Sequence, residues 1–430
     1  MRCERAGADV VLWPAGPLDR TLRPPGSKSL TNRYLACLAL AEGASVIRHA
    51  AICDDTERMV AGLTALGVPV ELDAASQRIR LRGCRGNWPA EQADVDAGSA
   101  GTAMRFLTAL ACTGQGEYRL DGSPRMRARP IRQLVDALRE LGAEIGYAGA
   151  DGCPPLNIAA RGLAGGLLTF HEPPSSQYIS ALLMVAPLAR GDVFIDIRGP
   201  LVSRPYVDMT LDVLRELGAD AVEEGGRFIV PGHQHYRAAE VAVEPDASGA
   251  TYFWAGAAIT GGRARITGLT RRSRQGDARF VDVLAQMGCR VDEGADWLEV
   301  SGPPAGTLRG IDVDLNAMPD TVQTLAVAAV FAQGPTTIRN VANLRIKETD
   351  RLAALGAELA KLGAAVDVRE DGLTVTPPAR PTPATIDTYD DHRMAMSFAV
   401  AGLVLPGLRI READCVSKSF PNFFDALAGA

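Results

Sequence analysis

The feature that most constrains the fold is a short sequence motif that occurs five times at nearly even spacing. It reads LTALGVPVEL, LRELGAEIGY, LRELGADAVE, LAQMGCRVDE and LAKLGAAVDV. Its glycines are Gly67, Gly142, Gly218, Gly288 and Gly363, so one copy spans about 75 residues, and a shortened sixth copy, FFDALAGA, occupies 423–430. We predict that each glycine follows a helix end in the left-handed conformation, which glycine adopts without strain. A repeat of this length predicts one structural module that packs against copies of itself.

Each copy also contains a helix that is apolar on all sides. The six segments are LTNRYLACLALAEG, GTAMRFLTALACTG, SQYISALLMVAPLARG, ASGATYFWAGAAITGG, DTVQTLAVAAVFAQG and DHRMAMSFAVAGLVLPG. A helix without a polar face is expected to be buried, and a short strand follows each one. Six buried helices with strands outside them predict an α/β fold, namely a two-domain inside-out α/β barrel. It has six repeated αβ units, three per domain, with sheets that wrap the helices.

The positions of the copies predict the domain boundaries. Residues 24–245 form an inserted domain with repeats 1–3, and residues 1–23 plus 246–430 form a discontinuous domain with an N-terminal strand and repeats 4–6. A cleft between two such domains is a common ligand site, and we expect the active site there.

Composition narrows the class of protein. Hydrophobic residues make up 47% of the chain and the formal net charge is -6, so bulk charge does not favour nucleic-acid binding. The chain has no apolar run of the roughly 18 residues that a membrane span needs, and its first residues resemble neither a secretory signal nor a transit peptide. We therefore expect a cytoplasmic protein that binds no membrane. The eight cysteines form no CxxC pair, and His233-x-His235 lies in a polar loop, so we predict no metal site.

The starts of the apolar helices carry small and polar residues. They read GSKS from 26, GSAGT from 98, SSQ from 175, DASG from 246, MPD from 318 and YDDHR from 389. Free N–H groups make a helix start suitable for anions, although capping explains any single case. The first stretch, PPGSKSLTNR, lacks the GxxxxGK[ST] form of a nucleotide-binding loop, so a kinase is a weak alternative.

Fixed cations precede the second, amphipathic helices. The loops read PRMRARP, SRP, RRSRQGD, LRIKETDR and SKSFP. Cations oppose the dipole at a helix start. We interpret RRSRQGD as solvated surface, whereas the repeated position of Arg129, Lys347, Arg351 and Lys418 favours a shared anionic ligand.

Ten sequence motifs together resemble those of the 5-enolpyruvylshikimate-3-phosphate synthase (3-phosphoshikimate 1-carboxyvinyltransferase) family. They are PPGSKSLTNR, AGTAMRF, PRMRARP, SSQYISALLM, VSRPY, PDASGA, MPD, NLRIKETDRL, TYDDHRMAM and SKSFPNFF, in family order over nearly the whole chain. The resemblance implies transfer of an enolpyruvyl group from phosphoenolpyruvate to the 5-hydroxyl of shikimate 3-phosphate, with release of phosphate through a tetrahedral intermediate. It implies no cofactor, no nucleic-acid partner and a monomer.

The resemblance also implies roles for particular residues. The shikimate 3-phosphate site is expected to contain Lys28, Ser29, Arg33, Ser175, Ser176, Gln177, Ser203, Asp320, Asn343 and Lys347. The phosphoenolpyruvate site is expected to contain Lys28, Gly101, Arg129, Gln177, Arg351, Arg393 and Lys418. We hypothesise that Asp320 is the base for the 5-hydroxyl and that Glu348 transfers the proton at C3 of phosphoenolpyruvate, with Lys28 assisting.

Three other functions are open at this point. A sister family transfers enolpyruvyl to UDP-N-acetylglucosamine and carries a cysteine in the loop that here reads PRM at 124–126. A secondary-metabolism homologue would act on an altered cyclic acid. A non-catalytic paralogue would have lost its catalytic carboxylates, yet both are present. Ser99 and Phe106 depart from residues common in the family.

Overall fold

The computed structural model describes residues 1–429. Residues 1–429 contain twelve α-helices, numbered in order: α1 Lys28–Ala39, α2 Asp54–Ala65, α3 Gly101–Ala111, α4 Arg132–Glu140, α5 Ser176–Val185, α6 Arg204–Glu216, α7 Ala247–Thr260, α8 Phe280–Gln286, α9 Val322–Ala329, α10 Arg351–Lys361, α11 His392–Ala401 and α12 Phe423–Ala428. The odd-numbered helices are the apolar ones, and they are buried as predicted. In α7, for example, every residue from Ala247 to Ile259 is buried. Because these helices have no polar face, the core forms around them.

The strands of the first three repeats form three sheets. They are β4 Glu42–Arg48, β5 Val70–Asp73, β6 Arg78–Cys84, β7 Gln92–Asp96, β8 Gln115–Asp121, β9 Glu144–Tyr147, β10 Leu156–Arg161, β11 Gly166–His171, β12 Val193–Arg198, β13 Val222–Glu224, β14 Arg227–Val230 and β15 Glu240–Ala242. Their spatial orders are β15-β4-β6-β5, β7-β8-β10-β9 and β11-β12-β14-β13.

The remaining strands form three more sheets. They are β1 Arg2–Ala6, β2 Asp9–Trp13, β3 Asp19–Leu22, β16 Arg263–Thr267, β17 Arg290–Glu293, β18 Trp297–Ser301, β19 Asp312–Asp314, β20 Thr336–Arg339, β21 Ala365–Arg369, β22 Gly372–Thr376, β23 Thr385–Ile386 and β24 Leu408–Ile410. Their orders are β3-β16-β18-β17, β19-β20-β22-β21 and β23-β24-β2-β1.

All six sheets share one pattern. A leading strand runs parallel to the strand that follows the buried helix, and two antiparallel strands complete the sheet. The repeat extends to the N-terminal residues, since β3 leads the sheet of the fourth repeat and the β1–β2 hairpin completes the sheet of the sixth. The predicted inside-out α/β fold with sheets around buried helices is confirmed.

The repeated glycines have the predicted conformation. Their φ angles are +91° at Gly67, +95° at Gly142, +86° at Gly218, +105° at Gly288 and +92° at Gly363. Each lies two residues after the end of an amphipathic helix. A side chain with Cβ would be strained there, so the glycines let the chain turn from helix to strand at the same point in five repeats.

Contacts divide the chain into two units. The inserted unit runs from Gly26 to Val243 and holds α1–α6, and the discontinuous unit joins Met1–Pro25 to the chain from Glu244 onward and holds α7–α12. Within the discontinuous unit the two crossing points are adjacent, because the Asp246 N–H donates to the Pro25 carbonyl at 2.8 Å. No helix in residues 1–429 combines the length and apolar character needed to cross a membrane.

Candidate functional site

Lys28 is the first residue of α1 and is fixed by a buried acid. Ser27 caps the helix by accepting from the Leu30 N–H, and Nζ of Lys28 lies 2.8 Å from Oδ2 of Asp55. Asp55 lies in the first turn of α2 and is 3% exposed. Sequence reasoning did not identify Asp55, because acidic residues in a first helical turn are explained by the helix dipole alone.

Arg33 lies one turn further along α1 and is buried. Its guanidinium donates to the Thr210 hydroxyl at 2.8 Å and to the Ser29 carbonyl at 2.9 Å. It also donates to the Tyr206 carbonyl and the Ser180 hydroxyl. Burial lowers the pKa of Arg33 to about 10, so the side chain is still charged at neutral pH. Its expected contact with substrate stays a prediction.

Gly101 and Arg129 meet at the start of α3. A Cβ at position 101 would lie 2.6 Å from Nη2 of Arg129, so a side chain there would displace this guanidinium. The loop that carries Arg129 is held from two helices, because Arg105 of α3 and Tyr178 of α5 both donate to the Pro130 carbonyl, at 2.8 and 2.7 Å. These two supporting residues had no signal in the sequence, since both are parts of apolar helical segments.

The start of α5 brings another set of predicted residues together. Ser175 caps the helix by accepting from the Gln177 N–H at 3.3 Å, and Ser176 begins it. The Gln177 side chain donates to the Thr102 hydroxyl of α3 at 3.3 Å. Ser203, directly before α6, has a left-handed backbone with a φ of +55°. Such strain in a residue other than glycine is typical of functional positions.

In the discontinuous unit, Arg351 binds three carboxylates at the start of α10. Its guanidinium lies 2.7 Å from Asp391, 3.1 Å from Asp320 and 3.0 Å from Glu348. The Arg351 side chain is 2% exposed. Burial alone would lower the pKa of Arg351, but the three carboxylates outweigh it and raise the pKa above its ordinary value. The guanidinium is therefore a permanent cation.

Asp391 joins Arg351 to Arg393. It caps α11 by accepting from the Arg393 N–H at 2.9 Å, while both of its oxygens accept from Arg351. Capping of this kind is local, whereas its partner Arg351 lies 40 residues away and has no signal in the sequence. The two residues before it, Tyr389 and Asp390, both have positive φ angles, of 55° and 53°. This strained turn aims Asp391 back at α10.

Asp320 is shared between two guanidiniums. One oxygen accepts from Arg351, and the other accepts from Nη2 of Arg393 at 2.8 Å. Arg393 also donates weakly to the Tyr252 hydroxyl at 3.4 Å, and burial raises the pKa of that tyrosine to about 12. Asp320 lies in the one-turn 3-10 helix that leads into α9, so its position follows from the fold of the fifth repeat.

Glu348 and Lys418 complete this cluster. Oε2 of Glu348 accepts from Arg351 at 3.0 Å, and Oε1 lies 3.9 Å from Nζ of Lys418. Lys418 is 7% exposed. Asn343 and Lys347 lie on the same segment as Glu348, in and directly after the short turn that ends at Ile346. The predicted residues of this unit thus come from four segments: the turn of Asp320, the segment 343–351, the start of α11 and the turn that ends at Lys418.

The charges of the cluster balance. Three cations, Arg351, Arg393 and Lys418, face three carboxylates, Asp320, Glu348 and Asp391. Asp391 is fully buried, but Asp320 is 18% and Glu348 13% exposed. Guanidiniums bind carboxylates and phosphates with the same paired geometry. An anionic ligand can therefore replace the two accessible carboxylates and leave Asp391 as the permanent anchor.

The loop RRSRQGD departs from its prediction. It was expected to be solvated, yet Gln275 and Asp277 at its end are buried. The Ser248 hydroxyl donates to Asp277. Burial, with Asp320 nearby, raises the pKa of Asp277 to about 7. The arginines of this loop suggested exposure to solvent for the whole segment. The prediction was wrong for its end, where Gln275 and Asp277 are buried.

The cysteines of α1 and after α3 are buried, and the two histidines of the loop after β14 are exposed. Cys37 and Cys112 are fully buried, and burial raises the pKa of the Cys37 thiol to about 12. Such a thiol is a packing group rather than a nucleophile. His233 and His235 are exposed, as expected. Across residues 1–429, no three side chains of His, Cys, Asp or Glu are grouped as metal ligands.

Comparison with known proteins identifies the family of the chain. The family model described as EPSP synthase (3-phosphoshikimate 1-carboxyvinyltransferase) matches residues 13–427. The chain is 47% identical to the 3-phosphoshikimate 1-carboxyvinyltransferase of Laribacter hongkongensis, over 97% of this chain and 98% of that protein. It is 46% identical to the protein of the same name from a Nostoc species, with the same coverage of both chains.

Solved structures share the fold. EPSP synthase from Acinetobacter baumannii superposes with a TM-score of 0.80 at 26% identity, over 98% of this chain and 97% of that one. The enolpyruvyl transferase NikO from Streptomyces tendae gives a TM-score of 0.76 at 21% identity, over 97% and 96% of the two chains, which shows the fold alone. With a family match over nearly its whole length and relatives at almost half identity, the chain belongs to the EPSP synthase family.

Proposed function

We propose that the protein transfers the enolpyruvyl group of phosphoenolpyruvate to the 5-hydroxyl of shikimate 3-phosphate and releases phosphate, the reaction for which its family is named. It is thus a transferase of the shikimate pathway, which leads to chorismate and the aromatic amino acids. The observation that carries the proposal for this chain's own residues is the balanced cluster around Arg351. Two guanidiniums and an ammonium hold two accessible carboxylates there.

We propose that the chain forms two domains, 24–245 and 1–23 plus 246–430, and that each contributes residues that bind the substrates. Phosphoenolpyruvate would be held by Arg351, Arg393 and Lys418 from one domain and by Arg129 and the Gly101 backbone from the other. Shikimate 3-phosphate would be held by the remaining predicted residues: Ser29, Arg33, Ser175, Ser176, Ser203, Asn343 and Lys347. Lys28 and Gln177 would touch both ligands. Paired guanidinium contacts suit a ligand with a carboxylate and a phosphate.

The two accessible carboxylates have separate proposed roles. Asp320 accepts the proton of the 5-hydroxyl as the hydroxyl oxygen attacks C2 of phosphoenolpyruvate, and Glu348, in its protonated form, donates a proton to C3, which gives a tetrahedral intermediate. The bond from C2 to the phosphate oxygen then breaks as Glu348 takes back a proton from C3. The proton held by Asp320 leaves with the phosphate, so both carboxyl groups return to their starting forms. When phosphoenolpyruvate displaces Asp320 from Arg351 and Arg393, the Asp320 carboxylate loses two stabilising cations and becomes more basic.

Two further properties follow from the resemblance of the chain to its family. We propose that the protein acts in the cytoplasm and as a monomer, with small molecules as its only substrates. The oligomeric state is checked by light scattering of the purified protein, and a stable dimer would contradict it.

The function is tested by phosphate release. The purified protein is expected to release phosphate from phosphoenolpyruvate only when shikimate 3-phosphate is present, with an enolpyruvyl ether as the second product. UDP-N-acetylglucosamine is the contrasting acceptor, and we expect no release with it. Release with UDP-N-acetylglucosamine but not with shikimate 3-phosphate would overturn the proposal.

Replacement of Lys28 tests its proposed bridging role. Lys28→Met removes an ammonium and leaves the buried Asp55 carboxylate without this cation. Because a contact to a charged group contributes about 1.5–3 kcal/mol, we expect each substrate to bind about ten- to a hundredfold more weakly. Calorimetry with each substrate measures this.

Arg58→Met is the control for Lys28→Met. Arg58 also pairs with an aspartate, Asp96, in the inserted unit, but its side chain is 47% exposed. We expect this variant to bind both substrates as the natural protein does. If Lys28→Met weakens only one substrate, the bridging role is wrong.

A further inference from the structure

Two of the buried guanidiniums of the predicted site, those of Arg33 and Arg351, are stabilised in different ways. Arg351 is surrounded by three carboxylates. Arg33 has only neutral acceptors, two hydroxyls and two backbone carbonyls. In residues 1–429, no carboxylate lies within ion-pair distance of Arg33, although the residue is 2% exposed. A buried cation without an acid is costly, so the fold must stabilise Arg33 by other means.

Two aromatic rings stabilise this guanidinium in addition to its four hydrogen bonds. The Arg33 guanidinium carbon lies 5.5 Å from the ring centre of Phe106 and 5.9 Å from that of Tyr206. Phe106 is fully buried on α3, and Tyr206 lies on α6. The face of an aromatic ring attracts a cation through its quadrupole but carries no net charge. A ring therefore holds the guanidinium without competing with an anionic ligand for it, as a carboxylate would.

Phe106 also lies on the helix that begins at Gly101. The residue before it, Arg105, donates to the Pro130 carbonyl and so supports the loop of Arg129. Helix α3 thus reaches both sets of predicted residues, with Arg105 on the phosphoenolpyruvate side and Phe106 on the shikimate 3-phosphate side. A change at Phe106 that acts only through Arg33 should affect one substrate and not the other.

We propose that Phe106 is a positioning residue that holds the Arg33 guanidinium, by contact with its ring face, in the orientation that binds shikimate 3-phosphate. The inference rests on the proposed function for the identity of the ligand. The alternative is that Phe106 only fills the core. In that case its loss would lower stability and would affect both substrates alike or neither.

Ring fluorination at position 106 is the sharpest test. Fluorine substitution weakens the negative ring face step by step and changes the volume little. With mono-, di- and trifluorinated phenylalanine at this position, we expect the dissociation constant for shikimate 3-phosphate to rise stepwise, by about five- to tenfold over the series. The dissociation constant for phosphoenolpyruvate should stay within twofold. A flat series for shikimate 3-phosphate would overturn the proposal.

Conventional variants give a kinetic test. Phe106→Leu should raise KM for shikimate 3-phosphate about fivefold with kcat and KM for phosphoenolpyruvate little changed, and Phe106→Tyr should restore most of the loss because it keeps the ring. Equal changes in both KM values, or failure of Tyr to restore KM, would contradict the proposal.

Phe228→Leu is the matched control. Phe228 is also buried in the inserted unit, and the Arg204 guanidinium lies 5.6 Å from its ring centre. Arg204, however, pairs with Asp208 and Glu223. We expect both KM values of Phe228→Leu to match those of the natural protein, and a selective rise in KM for shikimate 3-phosphate would overturn the proposal.

If the natural protein releases no phosphate, the proposed function fails, while calorimetry on the fluorinated series still decides the role of Phe106.

Discussion

Asp320→Ala should lose most of its turnover, by about a hundred- to ten-thousandfold, which is the usual contribution of a general base. It should still bind both substrates. Asp320 occupies one position on each of Arg351 and Arg393, so its removal frees both guanidiniums for an anion. We therefore expect phosphoenolpyruvate to bind at least as tightly as before. Steady-state phosphate release measures the first effect and calorimetry the second.

The control for this variant is Asp312→Ala. Asp312 lies in the same unit and also pairs with an arginine, Arg339, but it is exposed at 63%. Its loss should leave turnover and binding unchanged. If Asp320→Ala turns over at the natural rate, Asp320 is not the base. If it fails to bind phosphoenolpyruvate, the exchange of Asp320 for substrate on the two arginines is wrong.

Arg351→Met should be the most destabilising change in the site. It removes the cation that three carboxylates share, and Asp391 is fully buried. Removing one partner of a buried ion pair costs about 3–5 kcal/mol, because the charge that remains is uncompensated. We expect a decrease of that size in the free energy of unfolding, measured by urea titration, and loss of phosphoenolpyruvate binding.

Arg263→Met provides the comparison. Arg263 also bridges two carboxylates of the discontinuous unit, Asp19 and Glu299, but it is 40% exposed and Glu299 keeps its contact with Arg265. Exposed ion pairs contribute about 1 kcal/mol or less, so the expected loss is small. If Arg263→Met and Arg351→Met lower the free energy of unfolding equally, the buried cluster stabilises the protein no more than an exposed ion pair does.

The sequence predicts those parts of this protein that depend on local pattern. The repeated glycines, the buried helices and the capping role of Asp391 are each specified within one or two helical turns. Arg351 and Asp391, by contrast, are 40 residues apart. The turn between them holds two residues with positive φ, Tyr389 and Asp390, and a tyrosine gives no local signal for that conformation.

The partners of buried charges are a second feature of the structure that could not be predicted from the sequence. Lys28 and Arg33 lie on one helix and both match a binding motif. Lys28 has Asp55 as its partner, whereas Arg33 has two aromatic rings. Those partners come from three other helices, so the difference depends on tertiary packing. In the same way, Asp277 was hidden in a loop whose arginines suggested full solvation, because charge runs report composition and not burial.

The N-terminal strands belong to the sheets of the fourth and sixth repeats, and this has a consequence for folding during synthesis. On the ribosome, the inserted unit has all its strands once Val243 has emerged, because β15 then pairs with β4. Strand β3 cannot pair with β16, nor β2 with Leu408–Ile410, until those later strands have been made. Strands β2 and β3 thus meet these partners only after the whole inserted unit has been made. Until then their unpaired edges are open to chaperones and to wrong pairing.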